Sequence, residues 1–128
     1  MFKVELRDKR RHVLLTIDLA GNTPLFEQIA AAVRRGILEG TIQSGERMPP
    51  AAELSASLDV NRNTVLHAYQ LLRDEGLLEL RRGRGATITL KADSLRGLSA
   101  AMSRLVTQAR DLGVSADALA SLVKESYA

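Results

Sequence analysis

Residues 61–90 read NRNTVLHAYQLLRDEGLLELRRGRGATITL, a helix pattern with a polar head followed at once by two alternating stretches that meet at an arginine- and glycine-rich tip. Asn61 is a strong helix cap, because its side-chain oxygen accepts from the unpaired N–H groups of the first turn. A helix that starts there leaves Arg62, Asn63 and Thr64 at its exposed N-terminal end, while Val65, Ala68, Leu71 and Leu72 recur at helical spacing and seat it on a core. Gly76 is the expected left-handed stop. Beyond it, Leu78 and Leu80 alternate with charge, Arg82 to Gly85 form a tip, and Ala86, Ile88 and Leu90 alternate on the return, which is the pattern of a β-hairpin. Donors, acceptors, positive charge and the favourable end of a helix dipole, set beside a basic hairpin, suit a phosphate backbone and base edges. The segment therefore reads as a recognition helix and its wing. Arg62, Asn63, Thr64 and His67 are the expected DNA-reading residues, and Arg82, Gly83, Arg84 and Gly85 are the expected wing tip, where glycines on both sides of Arg84 permit close approach of the backbone to a minor groove.

Upstream, Pro50 to Ser57 is a short helix with Leu54 and Leu58 inward, and Asp59 and Val60 turn the chain into Asn61. Two helices meeting across about three residues is the spacing of a helix-turn-helix. Before them, Thr23 and Pro24 are expected to open a longer helix, Thr as cap and Pro in the first helical position, running to about Glu39 with Leu25, Phe26, Ile29, Val33 and Ile37 on its apolar face. Thr41 to Met48 is read as a connector in which Ile42 and Met48 are buried. At the N-terminus, Phe2, Val4 and Leu6, then Val13, Leu15 and Ile17, alternate around a polar turn, so residues 1–19 are read as a β-hairpin or as a basic arm lying on DNA. Residues 20–91 are the expected winged domain and 92–128 the expected tail. In that tail Leu95, Leu98, Met102, Leu105, Ala109 and Leu112 recur at three and four residues, and after Gly113 a last helix capped by Ser115 carries Leu119, Leu122 and Val123. Since the winged domain has a core of its own, Leu98, Met102, Leu105 and Leu112 are assigned to a seam between subunits.

A chain of 128 residues holds one modest core with a small helical appendage. Its net charge of +3 is unevenly spread: residues 1–12 carry five Lys or Arg against two acids, residues 13–59 three against six, residues 60–91 six against three, and residues 92–128 four of each. Positive charge thus gathers where a polyanion would bind. There is no cysteine, and His12 and His67 are the two histidines, which excludes a thiolate site and makes no zinc constellation, so no metal or cofactor is expected. No nucleophile stands beside a general base in a recognisable motif, and no glycine-rich phosphate loop follows a strand, so no catalytic residue is assigned and an enzyme is not expected. Neither a signal peptide nor an apolar run of the ~20 residues that span a bilayer is present, and a soluble, cytoplasmic protein is the expectation.

Pro24-Leu25-Phe26-Glu27-Gln28-Ile29, Gly45-x-x-Met48-Pro49, Leu54, Val60 to Val65, Ala68-Tyr69, Glu75-Gly76-Leu77 and Arg82 to Gly85 together closely resemble the GntR family of bacterial transcription regulators, and within it the short YtrA-like branch. The match extends in order over about 65 residues, which makes it specific rather than a single short motif. The resemblance implies that Arg62 contacts DNA, that Asn63 and Thr64 lie at the groove, that Gly83 to Gly85 is the wing, and that the protein is a dimer on a palindromic operator. It also implies a two-helix tail in place of a large effector domain. Two departures stand out. Pro50 and Ala52 occupy positions where the family usually has Ser and then Arg, and Ala86 and Thr87 replace the usual Thr and aromatic.

The expected fold is mainly α with a small β wing, a winged helix-turn-helix followed by a two-helix C-terminal dimerisation tail. The expected function is sequence-specific transcription regulation as a homodimeric repressor. Its partners would be double-stranded DNA, a second copy joined through the C-terminal helices, and a small-molecule effector of unassigned identity, with no membrane partner. The alternative is a winged-helix module that binds protein, or nucleic acid without sequence preference.

Overall fold

The fifteen residues Leu25–Glu39 form helix α1, whose Ile29, Ala30, Val33 and Ile37 are fully buried at the three- and four-residue spacing of one helix face. The computed structural model, which describes residues 2–8, 11–17, 21–82 and 85–127, divides after Gly97 into two units. In the first, a hairpin of β1 (Phe2–Asp8) and β2 (Arg11–Ile17) pairs antiparallel with Phe2 opposite Ile17, and it precedes α1. Next come β3 (Arg47–Met48), α2 (Ala51–Leu58), α3 (Arg62–Asp74), β4 (Leu78–Arg81), β5 (Gly85–Ile88) and α4 (Lys91–Arg96). The strands β3, β5 and β4 make an antiparallel sheet in that order. The second unit holds α5 (Ser99–Asp111) and α6 (Ala116–Ser126).

From the sequence, Thr23 caps α1 and Pro24 is its first helical residue; in the structure the helix begins one residue later. Pro24 has ψ of 143°, outside the helical region, and its carbonyl accepts the first intrahelical bond from the Gln28 N–H at 3.1 Å. At the other end the chain folds back over its own last turn: the Ile42 N–H donates to the Gly36 carbonyl at 3.0 Å. A Cβ on Gly36 would stand 2.6 Å from Ile42 Cδ1, so any larger residue at this close crossing would have to displace the buried Ile42 side chain.

Thr41 to Met48, expected as a connector, contains β3, whose Arg47 and Met48 pair with Thr87 and Ala86 of β5. A two-residue strand has no periodicity to reveal it, and its hydrogen-bonding partner lies some forty residues away in sequence. Helix α4 closes the unit. Ala92 is fully buried, Leu95 packs against the same core, and the Lys91 ammonium donates to the Glu75 carbonyl at 2.6 Å. The spacing of apolar residues suggests one helix from Leu95 through Leu112, but a turn at Gly97 and Leu98, both with right-handed dihedral angles, separates α4 from α5. A run of helical spacing does not show which body each apolar residue serves.

Candidate nucleic-acid interface

The position of α3 follows from its two ends. At the start, Asn61 Oδ1 accepts from the Asn63 N–H at 2.8 Å, as its capping preference requires. At the finish, the N–H groups of Gly76 and Leu77 donate to Arg73 and Leu72 carbonyls at 2.8 and 3.0 Å, a closure that needs the left-handed backbone of Gly76 at φ +80°. Between them Val65, Ala68, Tyr69 and Leu72 are buried, which turns the opposite face outward. Helix α2 meets α3 across Asp59, Val60 and Asn61, with Asp59 in a left-handed conformation at φ 55°. This is a helix-turn-helix with the expected three-residue turn.

Arg62 and Asn63 are exposed at the capped end, Thr64 is half-buried behind them, and His67 is exposed one turn after Asn63. Among the described residues neither Arg62 nor Arg82 has an acidic partner, whereas Arg81 Nε is drawn to Glu79 Oε1 at 2.9 Å. Arg62 and Arg82 therefore keep their charge available to an anion, and that of Arg81 is partly neutralised. The wing is built as expected up to its tip: Arg81 stands opposite Gly85, Arg82 is exposed, and Gly85 takes φ +76°, a conformation glycine adopts without strain. Gly83 and Arg84 lie outside the described residues. The departure at the start of α2 is also visible. Pro50 is the N-cap with no side-chain acceptor, and both Pro50 and Ala52 are exposed, so this end of α2 offers no polar side chain at either position.

Three interactions that hold α3 in place are not legible from spacing. The Tyr69 hydroxyl donates to the Pro49 carbonyl at 2.6 Å inside the core, and burial, with the charge of Glu53 as the smaller cause, pushes its phenol well above the usual tyrosine range. Arg34 of α1 forms a two-pronged pair with Glu75 at the C-terminal end of α3, at 2.7 and 2.6 Å, and this pairing raises the guanidinium pKa further. Phe26 stacks on His67, with ring centroids 3.8 Å apart and planes at 15°.

The model of the family described as "Bacterial regulatory proteins, gntR family" matches residues 25–88, which contain the whole helix-turn-helix and the wing. The chain belongs to the GntR family. It is 31% identical over 118 residues to the HTH-type transcriptional repressor YtrA of Bacillus subtilis, covering 88% of this chain and 91% of that one. It is 34% identical over 113 residues to an HTH-type transcriptional regulator of Mycobacterium tuberculosis, covering 88% of each. Among solved structures, YtrA from Sulfolobus acidocaldarius, a GntR-family transcription factor, superposes with a TM-score of 0.55 at 30% identity over 73% of this chain and 97% of that one. The protein is thus a GntR-family transcriptional regulator with a DNA-binding helix-turn-helix, and its relatives and fold are those of regulators rather than enzymes. Among the described residues no group of His, Cys, Asp and Glu is placed to hold a metal ion, and no helix is long and apolar enough to cross a membrane.

The residues assigned to a subunit seam lie in or beside the second unit's first helix. Met102 and Leu105 are in α5, and Leu98 and Leu112 bracket it; all four are exposed, at 53% for Leu98, 45% for Met102, 43% for Leu105 and 80% for Leu112. Ala109 alone is buried in α5, and no residue is buried in α6. Between the two helices runs an open groove of about 720 Å³ lined by Met102, Leu105, Val106, Leu119 and Val123, among others.

Proposed function

We propose that the protein is a cytoplasmic repressor that binds a palindromic operator as a homodimer and blocks a promoter by occupancy. The observation that carries this reading is the capped, outward end of α3, where Arg62 and Asn63 stand exposed and Arg62 has no acidic partner among the described residues. Phosphate contacts from Arg62, Arg82 and Arg84 would supply most of the affinity, and Arg62, Asn63, Thr64 and His67 the base readout. The wing tip, Gly83 to Gly85, would carry Arg84 to the minor groove.

The dimer is supported by the apolar surface of α5 and α6. Two short helices with almost no buried residue do not hold together on their own in water, because helical stability comes from tertiary packing. A second copy that covers Leu98, Met102, Leu105 and Leu112 would remove that surface from solvent. A repressing role is supported by the Bacillus subtilis relative, which is named a transcriptional repressor. A small-molecule effector would act by changing the separation of the two recognition helices, since fixed half-sites penalise altered spacing.

Selecting binding sites from random duplex DNA tests the reading. The expected product is an inverted repeat with half-sites about 34 Å apart, and Arg62→Ala should weaken binding to it by about 1–3 kcal/mol without altering the fold. Random DNA bound as tightly as any selected sequence would refute sequence-specific regulation.

A further inference from the structure

We propose that Phe26 is a positioning residue for DNA readout, holding the His67 imidazole flat so that its edge enters the same groove as Asn63. This rests on the assignment of α3 as the DNA-reading helix. The ring of Phe26, in the first turn of α1, lies face to face with that of His67 at 3.8 Å and 15°. The two nitrogens of an imidazole lie in the ring plane, so stacking on one face consumes neither. One donates and one accepts in the neutral ring, which suits a purine edge or a phosphate oxygen.

The location fits readout better than packing alone. His67 is four residues after Asn63, so the two share a helix face one turn apart, and the core stripe of Val65, Ala68, Tyr69 and Leu72 lies elsewhere. Phe26 is half-buried against that core and is therefore a rigid platform, whereas His67 remains exposed. Ordering a free side chain on binding costs entropy, and a ring already fixed in the unbound protein avoids that cost. The contact is created by the approach of α1 to α3.

The experiment compares wild type, Phe26→Leu, Phe26→Tyr, His67→Ala and Arg62→Ala on selected sites, with unfolding midpoints measured beside each. Phe26→Leu and His67→Ala should each lose about threefold to tenfold discrimination at the same base pair of each half-site, and a further variant combining Phe26→Leu with His67→Ala should be no worse than His67→Ala. Phe26→Tyr keeps the flat ring and should restore discrimination. The ring current of Phe26 should shift the His67 proton resonances upfield in wild type and Phe26→Tyr, and the shift should disappear in Phe26→Leu. Should Phe26→Leu fail to fold, proton–proton contacts between the two rings in free and DNA-bound wild type decide: retention in the complex supports the proposal, and separation on binding overturns it. A Phe26→Leu variant that weakens all sequences equally, or an unchanged profile for His67→Ala while Arg62→Ala still weakens binding, overturns the role of Phe26 alone. If Arg62→Ala also leaves binding unchanged, the assignment of α3 falls instead.

Discussion

Replacing Tyr69 with Phe removes one oxygen atom and tests how α3 is tied to the rest of the helix-turn-helix. Tyr69 is 2% exposed, and its hydroxyl donates at 2.6 Å to the carbonyl of Pro49, which is itself buried just ahead of α2. Phe fills nearly the same volume, so the loss is chiefly the hydrogen bond and the stranding of a buried acceptor, about 1–3 kcal/mol at neutral pH. In a unit of this size each kcal/mol lowers the melting temperature by about 4–8 °C. The burial of the same hydroxyl gives a pH signature. An unfolded tyrosine ionises near pH ~10, but burial first and Glu53 second hold the Tyr69 phenol protonated to higher pH in the native state. Above pH ~10 the unfolded chain releases a proton that the native state keeps, so the stability from this group is complete below that pH. It is lost as pH rises, at up to about 1.4 kcal/mol per pH unit. Urea denaturation of wild type and Tyr69→Phe, followed by circular dichroism from pH 7 to 11.5, reads both effects, because all other titrating groups are common to the pair. The wild-type advantage should be constant to about pH 9.5 and shrink toward zero by about pH 11.5. Equal stability at pH 7, or a difference that stays constant throughout, would refute the reasoning.

Gly36→Ala places a methyl group 2.6 Å from Cδ1 and 2.8 Å from Cγ1 of the fully buried Ile42. Overpacking of about 1–3 kcal/mol outweighs the helix-propensity gain of about 1 kcal/mol, so the urea midpoint should fall; an unchanged or raised midpoint would show that Ile42 gives way freely. Leu105→Asp puts an unpartnered charge in the proposed subunit seam and should yield monomers in sedimentation velocity at low micromolar concentration, whereas a persisting dimer would remove α5 from the interface. Arg84→Ala should lower affinity for all duplexes and reduce the slope of log K against log salt by about one; a loss confined to selected sequences would contradict a phosphate contact.

Caps, stops and stripes were legible because each acts through neighbours within a turn or two. Asn61 as cap, Gly76 as stop and the Val65–Ala68–Leu72 stripe place α3 within its observed bounds, and Ser115 caps α6 as its sequence suggests, accepting from the Ala118 N–H at 3.1 Å. Local reasoning assigns Arg62, Asn63, Thr64 and His67 to the exposed face; Arg62, Asn63 and His67 stand exposed, whereas Thr64 is half-buried. Long-range contacts were not legible, because nothing in residues 41–48 announces pairing with residues 86–87, and nothing in Arg34 announces Glu75. The apolar residues from Leu95 to Leu112 have one continuous spacing, yet Leu95 packs against the first unit's core and Met102 lines a groove between α5 and α6. His67 shows the division within one residue. Its place on the outward face of α3 follows from the 3.6-residue period alone, whereas the ring that fixes its orientation belongs to a helix some forty residues earlier and reaches it only when α1 packs across α3.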